Sequence, residues 1–296
     1  MVVGLSGGCD SVVLLNLLVS LAQPARVSAV HVHHGLSPNA DDWLAFCQAY
    51  CDRLGVSLHC RYASVDRSSG LGIEAAARAA RYAAFADVVP KGGVLMLAHH
   101  HGDQAETMLF NLLRGCGVNG AAAMREQRYL AGLSILRPLL TTTRDEIESW
   151  AVKHQLAWIN DESNDDRRFS RNFLRHEILP ILRQRFPAAE RALGRASSAF
   201  AEAADLLDEL AGDDWLKVRV GDHACLSALR RLSSSRLKNL LRWRLRQLNW
   251  QPPAAVRMDE FVRQLQTAGP DRHPRLVLPS GQMHVAAGLL HWVAKH

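Results

Sequence analysis

The stretch that decides the fold is Ser6-Gly7-Gly8-Cys9-Asp10-Ser11. It follows a short apolar segment, Val2 to Leu5, and it opens an apolar helical run from Ser11 to Ala22. At such a strand–turn–helix junction the backbone N–H groups and the positive end of the helix converge on one point, a geometry that binds phosphate. Two glycines allow close approach of the backbone, and Asp10 could hold a Mg²⁺ ion that neutralises the phosphates.

The hexapeptide differs from two common phosphate loops, because it lacks both the Gly-Lys-Ser/Thr of the Walker loop and the GxGxxG pattern. An ordinary strand-to-helix turn is the alternative interpretation, and it needs one glycine at most. That alternative does not account for Ser, Gly, Gly, Asp and Ser at a single junction. We therefore interpret the hexapeptide as a phosphate-binding loop, in which Cys9 occupies the variable position and has no catalytic role.

Beyond the loop, strand-like and helix-like segments alternate. In chain order they are the strands Val27 to Val32, Ser57 to Tyr62 and Val94 to Ala98, and the helices Asp41 to Leu54, Ile73 to Val89 and Asp103 to Arg114. This alternation predicts an α/β fold with a doubly wound parallel sheet. Ligands of such sheets lie beyond the carboxyl ends of the strands, where both the hexapeptide and His99-His100-His101 fall.

The pattern along the chain predicts two domains. The first is expected over residues 1–187, a connecting helix over 188–212, and a smaller, mainly helical domain with short strand-like segments near its end over 213–296. The whole chain has a net charge of +6, and residues 213–296 carry 14 basic and 6 acidic side chains. A basic module on a near-neutral body favours a polyanionic partner, although a solvated helix face with unpaired arginines explains the charge equally well.

The composition excludes several classes of protein. With 48% hydrophobic and 22% charged residues among 296, the chain is not disordered, collagen-like or stapled by disulfides. Its apolar runs are shorter than the roughly 18 residues that span a bilayer. The start of the chain lacks the pattern of a signal peptide. Six cysteines without a CxxC pair then predict reduced thiols and a cytoplasmic location.

The hexapeptide resembles the pyrophosphatase loop, or PP-loop, of the N-type ATP pyrophosphatases, which cleave ATP between its α and β phosphates to adenylate a substrate. Five further blocks narrow the resemblance to the tRNA(Ile)-lysidine synthetase family. They are His31-Val32-His33-His34-Gly35-Leu36; Gly72-Ile73-Glu74 with Ala77-Arg78 and Arg81-Tyr82; Ala98-His99-His100 with Asp103-Gln104-Ala105-Glu106-Thr107; Arg137-Pro138-Leu139; and Asp161-Glu162-Ser163-Asn164 with Arg171-Asn172-Phe173-Leu174-Arg175. The resemblance covers most of the chain.

That resemblance implies a ligase that forms a carbon–nitrogen bond while it converts ATP to AMP and pyrophosphate. Members adenylate the C2 oxygen of the wobble cytidine in tRNA(Ile) with a CAU anticodon, and the side-chain amine of free lysine then displaces AMP to give lysidine. Neither a membrane nor a protein partner is expected. Members usually have several residues before the first strand and commonly a further C-terminal domain, so the chain is compatible with a fragment.

The resemblance also assigns residues. The predicted ATP site comprises Ser6, Gly7, Gly8, Cys9, Asp10, Ser11 and Val32, and Asp10 is also the predicted Mg²⁺ ligand. The predicted catalytic residues are Asp10, Arg78 and Asp103, and the predicted lysine site comprises Glu74, Asp103 and Glu106. An ordinary i,i+4 ion pair is the alternative for Glu74 and Arg78. Compensation of the helix dipole is the alternative for Asp103 and Glu106.

Two features near the histidines bear on metals. His99, His100 and His101 resemble a metal cluster by composition, but adjacent residues cannot all point at one ion, so a structural zinc is not expected. Members of the family often have two acidic residues after the histidines. Here Gly102 precedes Asp103, which leaves open whether one Mg²⁺ ligand of the family is missing.

A basic helix is the predicted tRNA surface. Between Ser227 and Trp250 there are seven basic residues and no acid, and the leucines recur at near-helical spacing. We expect the leucines to be buried and the arginines to project, where only water or phosphate screens their repulsion. Arg167 and Arg168 could extend this surface. The residues predicted to contact the tRNA backbone are Arg171, Arg175, Arg230, Arg236, Arg242 and Arg246.

Two other functions compete with this interpretation. A PP-loop tRNA thiolation enzyme would also adenylate tRNA, but it would need a persulfide cysteine or a CxxC iron–sulfur site. A non-catalytic adenine-nucleotide-binding protein of similar fold would not need Asp103, Glu106 and the arginine-rich segment 167–175. Pyrophosphate release that depends on both lysine and tRNA would separate the three.

Overall fold

The computed structural model describes residues 1–22, 24–35, 37–63, 73–130, 132–160, 162, 170–269 and 272–295, with residues 24 and 73–75 described by their backbone. These residues form two compact units, Met1–Ala201 and Glu202–His296. The boundary lies inside the segment predicted as a connecting helix. None of the described helices is long and apolar enough to cross a membrane. Arg167, Arg168 and most of the block 161–164 lie outside the described residues.

The first unit is built on a six-stranded sheet. Its strands are β1 (Val2–Gly4), β2 (Ser28–His33), β3 (Ser57–Tyr62), β4 (Val94–Met96), β5 (Gln127–Leu130) and β6 (Leu133–Leu136). Their order is β3-β2-β1-β4-β6-β5, and every pair is parallel except the hairpin β5–β6. The predicted doubly wound α/β fold is confirmed.

Helices of the first unit follow the strands as the alternation predicted. They are α1 (Cys9–Leu21), α2 (Ala40–Leu54), α3 (Ile73–Ala86), α4 (His101–Leu113), α5 (Val118–Ala121), α6 (Arg144–Lys153), α7 (Ser170–Phe173) and α8 (Leu179–Arg185), with a 3₁₀ turn at Pro24–Arg26 and a π-helical turn at Leu174–Ile178. Helix α9 (Ala189–Val218) contains the boundary between the two units.

Both faces of this sheet are covered, which explains its continuous apolar strands. Val3 packs in a cluster with residues of α1, α2 and α6, whereas its neighbour Val2 packs with Tyr82 and Phe85 of α3. Successive side chains of a strand point to opposite faces. A strand buried on both sides must therefore be apolar at every position rather than at alternate ones.

The order of the strands places the site. From β1 the chain continues to β2 on one side, and β4 pairs with β1 on the other side. The sheet therefore has a switch point between β1 and β4, where the connections leave in opposite directions and a crevice opens beyond the strand ends. Helix α1 begins after β1 and helix α4 begins after β4, so the N-termini of both helices border this crevice.

The second unit combines helices with a small sheet. Its elements after α9 are β7 (Arg219–Val220), β8 (His223–Cys225), α10 (Leu226–Leu229), α11 (Ser234–Gln247), α12 (Ala255–Thr267), β9 (Arg275–Leu278), β10 (Gly281–Ala286) and β11 (Leu289–Ala294). The strands form one antiparallel sheet in the order β7-β8-β11-β10-β9. The predicted helix from Leu226 to Leu248 is divided before Ser233, which caps α11 by accepting a hydrogen bond from the Arg236 N–H.

The leucines of α11 form the core of this unit, as their spacing predicted. Leu237, Leu240, Leu241 and Leu245 are fully buried and pack with residues of α12 and of the strands β9, β10 and β11. Burial of such a stripe supplies most of the stability of an amphipathic helix.

Candidate functional site

The phosphate loop needs glycine at its second position. Gly7 has a φ of +90°, and a Cβ there would lie 2.6 Å from Cδ1 of Ile159. The Ile159 N–H also donates a hydrogen bond of 2.9 Å to the Gly7 carbonyl oxygen. The segment after α6 therefore packs directly on the loop and fixes its path, and a side chain at position 7 would push the two apart.

The two serines of the loop hold it closed from inside. The Ser11 hydroxyl donates to the Gly8 carbonyl (2.9 Å) and accepts from the Ser6 N–H (3.2 Å), while the Ser6 hydroxyl accepts from the Gly8 N–H (3.3 Å). Gly8 is the N-cap of α1 and provides no side-chain cap. The first-turn N–H groups of α1 are thus a ready site for an anion.

The thiol of Cys9 is unsuited to chemistry. It is buried, and this burial raises its pKa to about 11. A thiolate is the reactive form of cysteine, and it is scarce at neutral pH under these conditions.

Asp10 is bound by an arginine that the sequence analysis missed. Both carboxylate oxygens of Asp10 lie 2.6 Å from Nη1 of Arg144, whose Nε donates to Glu148 at 2.7 Å. Burial raises the pKa of Asp10, and the Arg144 charge opposes that rise. A signal was present, because Arg144 stands in the first turn of α6, where the helix dipole disfavours a cation unless an anion is near.

Helix α4 begins with a reciprocal cap at the end of β4. Nδ1 of His100 accepts from the Gly102 N–H (3.0 Å), and the Asp103 carboxylate accepts from the His100 N–H (3.0 Å). A Cβ at Gly102 would lie 2.8 Å from Cε1 of His100. The glycine that departs from the family pattern thus allows the imidazole of His100 to fold over the helix start.

Asp103 and Glu106 come together as predicted, but they share a cation. Arg175, in the π-helical turn, donates to Glu106 from Nε (2.7 Å) and Nη2 (2.9 Å) and to Asp103 from Nη2 (3.0 Å). Glu106 is only 3% exposed, and burial raises its pKa. Burial also acts on Asp103, but the charges of His100, His99 and Arg175 outweigh it and hold the pKa of Asp103 below its usual range.

These contacts revise the predicted role of Arg175. Its position in an arginine-rich segment predicted contact with tRNA, whereas in the structure its guanidinium lies against the two acids of the predicted lysine site. The same contacts connect the site to the phosphate loop, because the charges of Asp103 and Arg175 both act on the carboxyl of Asp10.

Arg78 lies near a buried histidine. Nδ1 of His99 accepts from Nε of Arg137 (3.2 Å), and burial lowers the pKa of His99 to about 4, with the charges of Arg137, Arg78 and Arg171 acting in the same direction. Arg78 donates to the Tyr82 hydroxyl at 3.3 Å. This side of the crevice is therefore strongly positive. Glu74 lies on α3, but its side chain, and with it the pairing with Arg78, falls outside the described residues.

The remaining predicted positions are Val32 and the three consecutive histidines. Val32 is the penultimate residue of β2 and lies half-buried beside the cluster that covers one face of the sheet. The three consecutive histidines have different surroundings: His99 meets Arg137, His100 caps α4, and His101 lies against Gly194. Among the described residues no group of three His, Cys, Asp or Glu side chains is placed to hold a metal ion.

The basic helix α11 differs from its prediction. Acids from other elements pair with most of its charges: Asp214 binds Arg236, Asp208 binds Arg246, Asp259 lies 3.0 Å from Lys238, and Asp222 lies 3.8 Å from Arg244. Arg230, before α11, donates to the carbonyls of Leu265 and Ala268 at the end of α12. Ion pairs with these acids therefore also offset the repulsion that water or phosphate was expected to screen, and contact of these arginines with tRNA stays a prediction. Arg242 is exposed, and Arg171 faces the Phe110 ring at 6.0 Å.

Comparison with known proteins agrees with this geometry. Residues 1–182 match the PP-loop domain family, and residues 225–291 match the TilS substrate binding domain. A tRNA(Ile)-lysidine synthase of Pseudomonas aeruginosa is 44% identical over 310 residues, covering 98% of this chain and 68% of the relative. Another from Alkalilimnicola ehrlichii is 44% identical over 283 residues, covering 95% of this chain.

The chain spans about two thirds of the length of these curated relatives, 64% in the case of the Alkalilimnicola protein. A solved structure, the U34-tRNA thiolase NcsA from Methanococcus maripaludis with its [4Fe-4S] cluster, matches with a TM-score of 0.57 at 17% identity, covering 68% of this chain and 72% of the thiolase. That likeness supports the fold alone. The PP-loop match over more than half of the chain, together with the relatives above, shows that this chain belongs to the tRNA(Ile)-lysidine synthase family of PP-loop proteins.

Proposed function

We propose that the chain carries out the reaction named in its relatives, the synthesis of lysidine on tRNA(Ile) with a CAU anticodon. In this proposal the wobble cytidine C2 oxygen attacks the α-phosphorus of ATP and pyrophosphate leaves. The side-chain amine of lysine then attacks C2, and AMP leaves with the oxygen. The observation that supports this proposal is the crevice at the switch point of the sheet. The phosphate loop and the acidic pair Asp103 and Glu106 both lie there.

ATP would bind with its phosphates at Ser6 to Ser11 and its adenine near Val32. The uncapped first turn of α1 supports this placement, since it offers N–H donors and a positive dipole to the phosphates. Mg²⁺ usually takes one or two carboxylates and completes its shell with substrate phosphates and water. Asp10 fits that role, and it would exchange the Arg144 guanidinium for the ion; the ion would neutralise the phosphates during attack.

Lysine would bind at Asp103, the more exposed of the two acids, with side-chain exposures of 19% for Asp103 and 4% for Glu106. Glu106 would keep Arg175 in place, and Arg175 would in turn limit the negative charge at the site. This division of roles is supported by the hydrogen bonds of Arg175, two to Glu106 and one to Asp103. Arg78 would stabilise the adenylate from the positive side of the crevice.

A domain assignment follows from this function. Residues 1–187 would hold the catalytic site, and the basic residues 213–296 would bind tRNA through its backbone. The cysteine pattern favours a reducing, cytoplasmic location.

A tRNA thiolation activity, like that named for the structural neighbour, is the second candidate. It would need a reactive thiol near the loop. Cys9 and Cys47 border the loop, and burial raises their pKa values to about 11 and about 12. Such thiols are poor nucleophiles at neutral pH. The geometry therefore favours nitrogen transfer from lysine over sulfur transfer.

The test is pyrophosphate release from ATP by the purified chain with tRNA(Ile) and lysine supplied separately and together. Release that requires both substrates supports lysidine synthesis. Release with tRNA and a sulfur donor but without lysine would support thiolation. Tight ATP binding without release under any condition would favour the non-catalytic nucleotide-binding protein and refute the proposal.

A further inference from the structure

Three histidines form a row across the sheet of the second unit. His284 on β10 pairs directly with His291 on β11, and the register of β11 with β8 brings His223 to the other side of His291. The ring centroids lie 4.1 Å apart for His223 and His291 and 5.3 Å apart for His291 and His284. The row ends at Arg275 of β9, which pairs with His284.

This row lies on the outward face of the sheet. Side chains that alternate with it, such as Met283, Val285 and Leu290, are buried in the core with α11 and α12. Next to the row on its own face, Val277 and Val293 are 53% and 41% exposed. Since a strand alternates its side chains between two faces, the histidines and Arg275 belong to the face that the helices leave uncovered.

Basic groups outnumber acids along this face, and the acids that flank it in the sequence are Asp222 and Asp271. From Arg272 to Lys295 the sequence contains basic residues and histidines and no acidic residue. Burial lowers the pKa of His284, and the charges of His291, Arg275 and His223 act in the same direction. At the other end, Asp222 precedes His223 in the β7–β8 turn and lies 3.8 Å from Arg244. This face therefore contrasts with α11, whose arginines are mostly paired with acids.

The hydrogen-bond donors of the histidine rings indicate which kind of ligand this face can bind. Nδ1 of His223 and Nδ1 of His284 are buried and have no hydrogen-bond partner within the described part of the chain. A buried unpartnered N–H costs more than a bare lone pair, so the neutral rings of His223 and His284 keep their protons on Nε2 and offer N–H donors. Nε2 of His291 is instead hydrogen-bonded to the Ala286 carbonyl oxygen at 3.3 Å. Further protonation brings positive charges close together and requires an anion beside them.

We propose that this face, centred on His223, His291, His284 and Arg275, binds the phosphodiester backbone of RNA. Several donors in a row, spaced by the strands, suit a chain of phosphates better than a single ion. A second copy of this chain is a poorer occupant, because two basic faces repel each other. The inference rests on the proposed function in taking tRNA as the RNA, and it assigns the backbone contact of the second unit to one face of its sheet.

Binding of a phosphate beside the row stabilises the protonated rings, so the affinity for RNA rises as the pH falls. We expect wild-type protein to bind a tRNA transcript about tenfold tighter near pH 6 than near pH 8. The double variant Arg275→Gln/His284→Gln should bind about tenfold more weakly near pH 6 and lose most of this pH response. Its log–log salt slope should fall by about 0.9 for each lost phosphate contact.

The measurement is tRNA binding by fluorescence anisotropy with the whole chain, at fixed salt and then over a salt series. The matched control is Arg263→Gln/His154→Gln, which also removes one exposed arginine and one imidazole, but from α12 and from the end of α6. The control should keep the wild-type affinity and pH response. Equal losses in both double variants, or no loss in either, would overturn the proposal.

Two further readouts separate the alternatives. If sedimentation shows that the wild type self-associates and the Arg275→Gln/His284→Gln variant does not, the face binds a second copy and the proposal is wrong. Backbone recognition predicts the same loss with a non-cognate tRNA. Lysine-dependent pyrophosphate release tests the proposed function separately, because its absence with intact, face-dependent RNA binding would refute lysidine synthesis and leave this inference standing.

Discussion

The contact of Arg175 with Asp103 and Glu106 predicts how the stability of the first unit changes when Arg175 is replaced. The change is Arg175→Met, which keeps most of the apolar stem and removes the guanidinium. Glu106, 3% exposed, would lose both of its hydrogen bonds from Arg175, and Asp103 would lose one. Two neighbouring carboxylates would then share the crevice without the cation between them.

The size of this loss of stability depends on how deeply Glu106 and Arg175 are buried. Removing one partner of a fully buried ion pair costs about 3–5 kcal/mol, because the other charge stays behind without compensation. The Arg175 side chain is 36% exposed, so water already screens part of its interaction. We therefore expect Arg175→Met to lower the free energy of unfolding of the first unit by about 2 kcal/mol near pH 8.

The loss should depend on pH in one direction. Burial already raises the pKa of Glu106, and Arg175 opposes that rise, so the variant has a still higher pKa in the folded state. Between the unfolded and folded pKa values the folded state holds a proton that the unfolded state has released, and stability falls as pH increases. The deficit of the variant should thus be largest above the folded pKa and shrink as the pH falls through it.

Hydrogen exchange of the α4 amides measures this free energy locally, which avoids treating a two-unit chain as a single two-state system. Arg183→Met is the control, because Arg183 pairs with Glu190 at the surface and its side chain is 54% exposed. It should lose less than about 0.5 kcal/mol. Adding Glu106→Gln to Arg175→Met should recover part of the loss. A deficit independent of pH, or a double variant less stable than Arg175→Met, would refute the reasoning.

The other predictions concern the loop, the lysine site and α11. Asp10→Ala should lower the rate of pyrophosphate release by about a hundredfold, corresponding to about 3 kcal/mol of lost transition-state stabilisation, while circular dichroism stays unchanged. Gly7→Ala should weaken ATP binding in a titration, because φ +90° and the Ile159 contact strain any side chain there by about 1–2 kcal/mol. Asp103→Asn should raise the KM for lysine about tenfold and the KM for ATP far less; equal effects would indicate a metal role. Arg242→Glu should weaken tRNA binding without loss of stability, whereas Arg236→Gln should lower the urea midpoint of the second unit, since it leaves the fully buried Asp214 unpaired.

The sheet of the first unit was predictable because its signal is local. Apolar strands of four to six residues alternate with helical spacing, and the chirality of the connections leaves few ways to arrange them. The same rule located the crevice beyond β1 and β4. The hairpin β5–β6 was missed because Gln127–Leu130 is mostly exposed. Helix α12 was missed although its buried residues Met258, Phe261, Val262 and Leu265 have helical spacing.

Ion pairs between residues that are far apart in the sequence could not be predicted. Arg144 binds Asp10 across 134 positions, and Arg175 binds Glu106 across 69. The spacing of these residues in the sequence does not indicate the pairs. They form because loops from several crossover connections meet at the switch point. The sequence therefore predicted which side chains belong to the candidate site, but it could not predict which of them form ion pairs with each other.

The same limit decides where the second unit can attract a polyanion. A count of charges along α11 indicates a strongly basic surface, yet a phosphate responds to the field that remains after pairing, and Asp208 and Asp214 cancel much of that field at Arg246 and Arg236. Strands β9 to β11 carry fewer basic residues, but no acid lies between Arg272 and Lys295 to cancel them. Because the attraction depends on uncompensated charge, the sheet face should contribute more to RNA affinity per basic residue than the helix that looks more basic in the sequence.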